Sequence, residues 1–290
     1  MSRLSISKTP KCYVGGKFIR SESGRTFPLL DAEGAFFAHI PQCTRKDVRN
    51  AVEAAAKAGS GWATRSAYNR GQILYRIAEM IEPRTEELVV ALMLSGSTAK
   101  AARAEVAATI DRIVHYAGWT DKYEQILGNV NPVASPHFNF TVTEPMGVIG
   151  VVAPDEAPLL ALLTLVLPAI TSGNSVVGVV SETAPYAAIV LGEMLATSDL
   201  PGGVVNLLTG LRKEMVPTIA THAHIRGVVG AVSADDRQAL ELGAAESMKR
   251  VKVLAATTTT DWANGDGPIA SLYAIRDCLE FKTTWHPIGA

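Results

Sequence analysis

Val148-Ile-Gly-Val-Val-Ala-Pro-Asp-Glu-Ala-Pro158, then Leu159-Leu-Ala-Leu-Leu-Thr-Leu-Val-Leu-Pro-Ala-Ile170, then Thr171-Ser-Gly-Asn-Ser-Val-Val-Gly-Val-Val180, is the stretch that decides the fold. Val148–Val152 is a continuous apolar run, the pattern of a strand buried on both faces of a parallel sheet. No charged residue occurs from Ala157 to Ser181. A membrane-spanning helix needs about 20 predominantly apolar residues, so this stretch has the length. Pro158 and Pro168 interrupt it, however, and Thr171–Ser175 is a turn signal. The reading is therefore a buried helix over Leu159–Ile170, a turn, and a buried strand over Ser175–Val180, with no membrane span.

The same rhythm continues downstream. A helix is expected over Pro185–Thr197, a strand over Val204–Thr209 and a helix over Arg212–Thr221. A strand over Ile225–Val229, a helix over Ala234–Ser247 and a strand over Val251–Leu254 follow. Strands alternating with helices across short loops predict an α/β fold built on a doubly wound parallel sheet. After Leu254 the rhythm stops. Ala255–Ser271 is rich in Thr, Gly, Asp and Pro and reads as a linker. Leu279-Glu-Phe-Lys-Thr-Thr-Trp285 alternates and reads as one terminal strand.

Upstream, Tyr13–Ile19 with Gly15-Gly16 reads as a hairpin, and Phe27–Leu30 with Ala35–Ile40 as a second, turning at Glu33-Gly34. Thr44 with Asp47 three residues on makes a capping-box start, Asp replacing the usual Glu or Gln, for a helix over Arg45 to about Ala58. Helices over Ser66–Ile81, from Pro83, and from about Thr98 to Asp121 complete a helical layer. Phe138–Thr143 alternates as a half-exposed strand does.

The chain has 290 residues, 48% hydrophobic and 19% charged, which describes a globule with a substantial core and argues against disorder. Lys+Arg is 27 against Asp+Glu 28, so no basic excess points to nucleic acid or an anionic membrane. Cys12, Cys43 and Cys278 are odd in number, far apart in sequence and without a C-x-x-C pair, which predicts neither a disulfide framework nor a zinc site. The first ten residues carry no apolar core of signal-peptide length, so the expected compartment is the reducing cytoplasm. His222 and His224 lack a third ligand and read as loop imidazoles. Trp62 and Trp119 read as packing residues.

Several segments resemble, in order, the aldehyde dehydrogenase superfamily: Glu144-Pro-Met-Gly-Val-Ile-Gly-Val-Val-Ala-Pro154, Pro168-Ala-Ile-Thr-Ser-Gly-Asn-Ser-Val-Val177, Ser181-Glu182 before Pro185, and Leu200-Pro-Gly-Gly-Val-Val-Asn-Leu-Leu-Thr-Gly210. Tyr13-Val-Gly-Gly-Lys-Phe18, Gly61-Trp62 and Tyr116-Ala-Gly-Trp119 fit as well, so the resemblance covers about residues 10–255. Glu280-Phe-Lys-Thr-Thr-Trp285 resembles the family's terminal strand. The resemblance implies a Rossmann-like doubly wound sheet with an N-terminal helical layer and a protruding antiparallel oligomerisation arm. The expected domains are a dinucleotide-binding domain over 1–255 with an arm hairpin near 125–150, a linker over 256–272 where the family places its catalytic domain, and an oligomerisation strand over 273–290.

By the same resemblance the catalytic set is missing. The segment of the nucleophilic cysteine is absent, and the remaining cysteines read as small buried or half-buried side chains. The family's Ala-Pro-Trp-Asn is Ala153-Pro-Asp-Glu156, where an ionised carboxylate only accepts hydrogen bonds. Asp155 and Glu156 read as a solvated loop rather than an acid/base pair. The general-base position falls on Leu254, which moves no proton. The family's ribose-binding lysine falls on Val179 and its phosphate turn on Gly230-Ala-Val-Ser233. Ser181, Glu182 and Ser233 match cofactor-contact positions and are the candidate, vestigial binding residues for NAD or NADP; as plain sequence, Ser181-Glu182 is a polar strand end. No catalytic or metal residue is assigned, and no cofactor is expected.

The leading expectation is a catalytically inactive aldehyde dehydrogenase-like subunit, structural or regulatory. It would pair through Phe138–Thr143 and Glu280–Trp285 with a copy of itself or with a full-length aldehyde dehydrogenase. The alternatives are the NAD(P)-binding part of a split aldehyde dehydrogenase and a truncation product without a role.

Overall fold

The structure, a computed structural model, describes residues 8–256, 260–265 and 267–289. Residues 1–7, which enter the leader reading, and 257–259 and 266 of the expected linker lie outside the described residues.

The first hairpin is β1 (Cys12–Val14) with β2 (Lys17–Ile19), and the second is β3 (Thr26–Leu30) with β4 (Phe36–Pro41). Gly15 and Gly16 have φ of +61° and +77°, the conformation that a two-residue turn between twisted strands requires. The helical layer comprises α1 (Arg45–Ala63), α2 (Ala67–Ile81), α3 (Thr85–Met93), α4 (Ala99–Ala117) and the short α5 (Tyr123–Leu127). The Asp47 carboxylate accepts from the Thr44 N–H at 2.8 Å, as the capping pattern predicts. Helix α1 runs five residues past the expected Ala58. Trp62 is fully buried near its end and its indole N–H donates to the Ile170 carbonyl at 2.9 Å, so the last turn is fixed by packing.

The α/β rhythm appears as β7 (Val148–Val152), α6 (Leu160–Thr171), β8 (Ser175–Val179), α7 (Tyr186–Leu195), β9 (Val205–Leu208), α8 (Arg212–Thr221), β10 (Ile225–Val232), α9 (Ala234–Ala245) and β11 (Arg250–Ala255). The central sheet has the order β11-β10-β7-β8-β9-β1-β2; its five α/β strands are mutually parallel, and the first hairpin adds antiparallel to β9. One face packs on α1 and α8 around Val48, Val177, Met215 and Ile219. The other packs on α6 and α7 and, outside them, α2–α4, around Ile77, Leu92, Leu163 and Leu191. With both faces covered, every residue of β7, β8 and β9 is buried, which explains why these strands are apolar except for Ser175 and Asn206. No described helix is long and apolar enough to cross a membrane.

A separate three-stranded antiparallel sheet consists of β5 (Asn129–Asn131), β6 (His137–Pro145) and β12 (Leu279–Pro287), in the order β12-β6-β5. β12 pairs with β6 over nine successive positions, from Leu279 opposite Pro145 to Pro287 opposite His137. The segment read as linker holds a 3-10 turn at Pro268–Ala270, and α10 (Leu272–Arg276) occupies the start of the stretch expected as the oligomerisation strand.

Candidate functional site

Counted along the chain, the five parallel strands lie in the spatial order fifth, fourth, first, second, third, so the strand order reverses between β7 and β10. In open α/β sheets ligands bind outside the carboxyl ends of the strands at such a switch point. The residues delivered to that edge are Ala153–Ala157 after β7, Val180–Thr183 after β8, Thr209–Arg212 after β9 and Ser233 after β10. Ala157 has φ of +44°, a conformation that costs a non-glycine residue about 1–2 kcal/mol. The backbone is thus strained at this edge, which is where functional sites store strain.

Asp155 is the centre of the edge. Its Oδ1 accepts from the Ser181 hydroxyl at 2.6 Å, the Glu182 N–H at 2.9 Å and the Thr183 N–H at 3.2 Å. Its Oδ2 accepts from Arg212 Nη1 at 2.8 Å, while Arg212 Nη2 donates to the Ala153 carbonyl at 2.8 Å. The Arg212 backbone N–H, at the start of α8, donates to Glu182 Oε1. Burial pushes the Asp155 carboxyl up, but the hydrogen bonds from Arg212 and Ser181 outweigh it and hold the pKa at about 2. The solvated-loop expectation for Asp155 is therefore corrected. The residue is half-buried and ties the loops after β7, β8 and β9 into one clasp. A desolvated carboxylate needs such partners, and an arginine 57 positions downstream is invisible to local sequence reading.

Ser181 and Glu182, neighbours in sequence, each bond within the clasp. Ser233 stands two strands across, after β10, where its hydroxyl accepts from the Asp236 N–H at 3.1 Å and caps α9. Asp235 and Asp236 fill the first turn of that helix, so its N-terminus faces the chain's own negative charge. The N-terminus of α6 is filled likewise. Glu105 reaches from α4 and accepts from the Leu159 and Leu160 N–H groups at 2.9 and 3.1 Å. Burial raises the Glu105 pKa against the lowering pull of those two bonds.

Arg112, also on α4, extends the polar network. It donates to Thr164 Oγ1 at 2.9 Å and to the carbonyls of Trp262 and Asn264 at 3.0 and 3.3 Å. Trp262 is buried against Leu160, Ala161 and Ala231, so part of the expected linker is docked on the core. Glu105, Arg112 and Arg212 carry no sequence signal of their own, because their partners are 52 to 152 residues away or are backbone groups.

Val179 is fully buried in β8, so no side chain from that position reaches the edge. Leu254 lies on β11, partly exposed, with no proton to move. Cys278 is buried, and desolvation pushes its thiol up to about 12. Cys12 and Cys43 are buried together with their sulfurs 3.4 Å apart, a thiol–thiol contact that their spacing in sequence does not show. The His222 and His224 rings lie 6.0 Å apart and tilted, and no group of three His, Cys, Asp or Glu fit for a metal exists among the described residues.

Comparison with known proteins agrees with this architecture. Residues 18–256 match the model of the aldehyde dehydrogenase family. The chain is 34% identical over 257 residues to retinal dehydrogenase 2 of Gallus gallus, covering 86% of this chain and 48% of that protein. It is 32% identical over 249 residues to a mitochondrial benzaldehyde dehydrogenase of Antirrhinum majus, covering 83% and 46%. An NAD+ complex of aldehyde dehydrogenase from Bacillus cereus superposes with a TM-score of 0.81 at 27% identity, covering 85% of this chain and 50% of that one. The chain spans about half the length of the curated relatives it matches.

Proposed function

Since this chain belongs to the aldehyde dehydrogenase family, we propose that it is a non-catalytic member whose working surface is the β5–β6–β12 sheet. It is a structural or regulatory subunit that assembles with a second chain of the same fold, either its own copy or a full-length aldehyde dehydrogenase. The family's nucleophile, general base and oxyanion donor have no counterpart in the matched half. The general-base position holds Leu254, which moves no proton, and the oxyanion position holds Glu156, whose ionised carboxylate only accepts hydrogen bonds.

The observation that carries the reading is the composition of the small sheet. Residues directly opposite across antiparallel strands share a face, so Val130, Phe138, Phe140 and Val142 line one side. Val130 is 58%, Phe138 45% and Val142 42% exposed. The other side presents Phe281 and Trp285, also exposed. β12 leaves its outer edge unpaired among the described residues. A long open edge strand on a sheet with exposed apolar side chains on both faces is an aggregation liability in a lone chain and an asset in an assembly.

The test is native mass measurement of the protein alone and mixed with a full-length aldehyde dehydrogenase. Assembly in either sample is expected, and Phe138→Lys with Val142→Lys should abolish it while leaving the melting temperature within a few degrees. A strictly monomeric species in both samples overturns the reading.

A further inference from the structure

We propose that the carboxyl edge is an anion cradle filled by the chain's own Asp155, an internal ligand that bars dinucleotides from the switch point. This does not rest on the assembly role, and its test reads binding rather than mass.

The donors are of the kind that recognise phosphate. Two successive backbone N–H groups, those of Glu182 and Thr183, converge with the Ser181 hydroxyl on one oxygen, and a guanidinium meets the other. Consecutive N–H groups make an anion-binding concavity, and arginine matches the paired oxygens of carboxylate and phosphate alike. The guanidinium still has capacity: Arg212 Nε is buried and finds no partner among the described residues. What fills the cradle is a side chain tethered a few residues from β7. A ligand phosphate must therefore displace an acceptor of very high effective concentration. It must also enter beside Glu182, whose carboxylate accepts from the Arg212 backbone N–H. The two helix N-termini that could hold a phosphate instead are taken, one by Glu105 and one by Ser233 with Asp235 and Asp236 in the first turn. The positions corresponding to cofactor contacts are thus occupied by the chain itself.

Removing the internal ligand opens the cradle to an anion of the phosphate class. Wild-type protein is titrated calorimetrically with NAD, NADP and inorganic pyrophosphate up to about 1 mM, the weak end of the useful affinity range. No saturable heat is expected. Asp155→Ala is expected to bind pyrophosphate at least about tenfold more tightly than wild type, and Asp155→Ala with Arg212→Ala to lose that gain. Near-UV circular dichroism checks that each variant is folded, and Asp155→Ser replaces Asp155→Ala if the alanine variant is not. Saturable NAD or NADP binding by the wild type overturns the inference whatever the variants do. A folded Asp155 variant with no gain in pyrophosphate affinity overturns it as well.

Discussion

Replacing Asp155 by Asn tests the ion pair of the clasp: the amide keeps the shape and an oxygen for the Ser181, Glu182 and Thr183 donors, but removes the charge and turns the acceptor facing Arg212 into an NH2 donor. Folding takes the Asp155 carboxyl from an ordinary 3.8 to about 2. At 1.36 kcal/mol per decade, that difference is worth about 2 kcal/mol at neutral pH. The side chain is 32% exposed, so solvent screening makes this an upper figure. A folded-state pKa below the unfolded one gives stability that is complete above about pH 4 and lost as the pH falls through about 2. At pH 3 about half should remain. Wild type and Asp155→Asn should therefore differ by about 2 kcal/mol at pH 7, a fall of roughly 4–8 °C in melting temperature, and by about 1 kcal/mol at pH 3. Urea unfolding followed by tryptophan fluorescence at pH 7, 4 and 3 reads the gap. A gap as large at pH 3 as at pH 7 would refute the assignment to this ion pair. So would the absence of any gap at pH 7 in a folded variant.

Two further outcomes are expected. Cys278, buried and with its thiol pushed up to about 12, should stay unlabelled by iodoacetamide at pH 8 in the folded protein and react once guanidinium unfolds it; fast labelling of the native protein would contradict its placement. Trp262→Ala should release the docked segment: losing a buried tryptophan costs about 3 kcal/mol or more, so limited proteolysis within residues 260–265 should speed up roughly a hundredfold, and unchanged cleavage would mean that Trp262 does not anchor it.

The parallel core was legible because burial on both faces leaves a periodic mark: the runs at 148–152 and 175–179 contain no charged residue, and helix α8 has the expected bounds. The arm pairing of 279–287 with 137–145 was legible only through resemblance, since alternation marks a strand but never names its neighbour. Helices α5 and α10, each five residues, were missed because one turn and a half shows too little periodicity. At the site, Ser181, Glu182 and Ser233 were found by correspondence of position. The residues that decide what the edge does, Asp155 with Arg212 and Glu105 at α6, were misread or passed over. Their character comes from desolvation and from partners brought by the fold, and neither is a property of neighbouring residues.

The small sheet also sets an order of events. Thr141 and Thr283 bond through their hydroxyls at 2.9 Å, yet 142 residues separate them. During synthesis β6 emerges early, and β12 follows only after the whole parallel core has left the ribosome. At about 5–20 residues per second, β6 waits with one long edge open for roughly 7–30 s. A nascent chain in that interval offers a ready strand template to whatever chain is beside it. The same gap that delays closure within one molecule thus makes the small sheet a late part of the fold to complete.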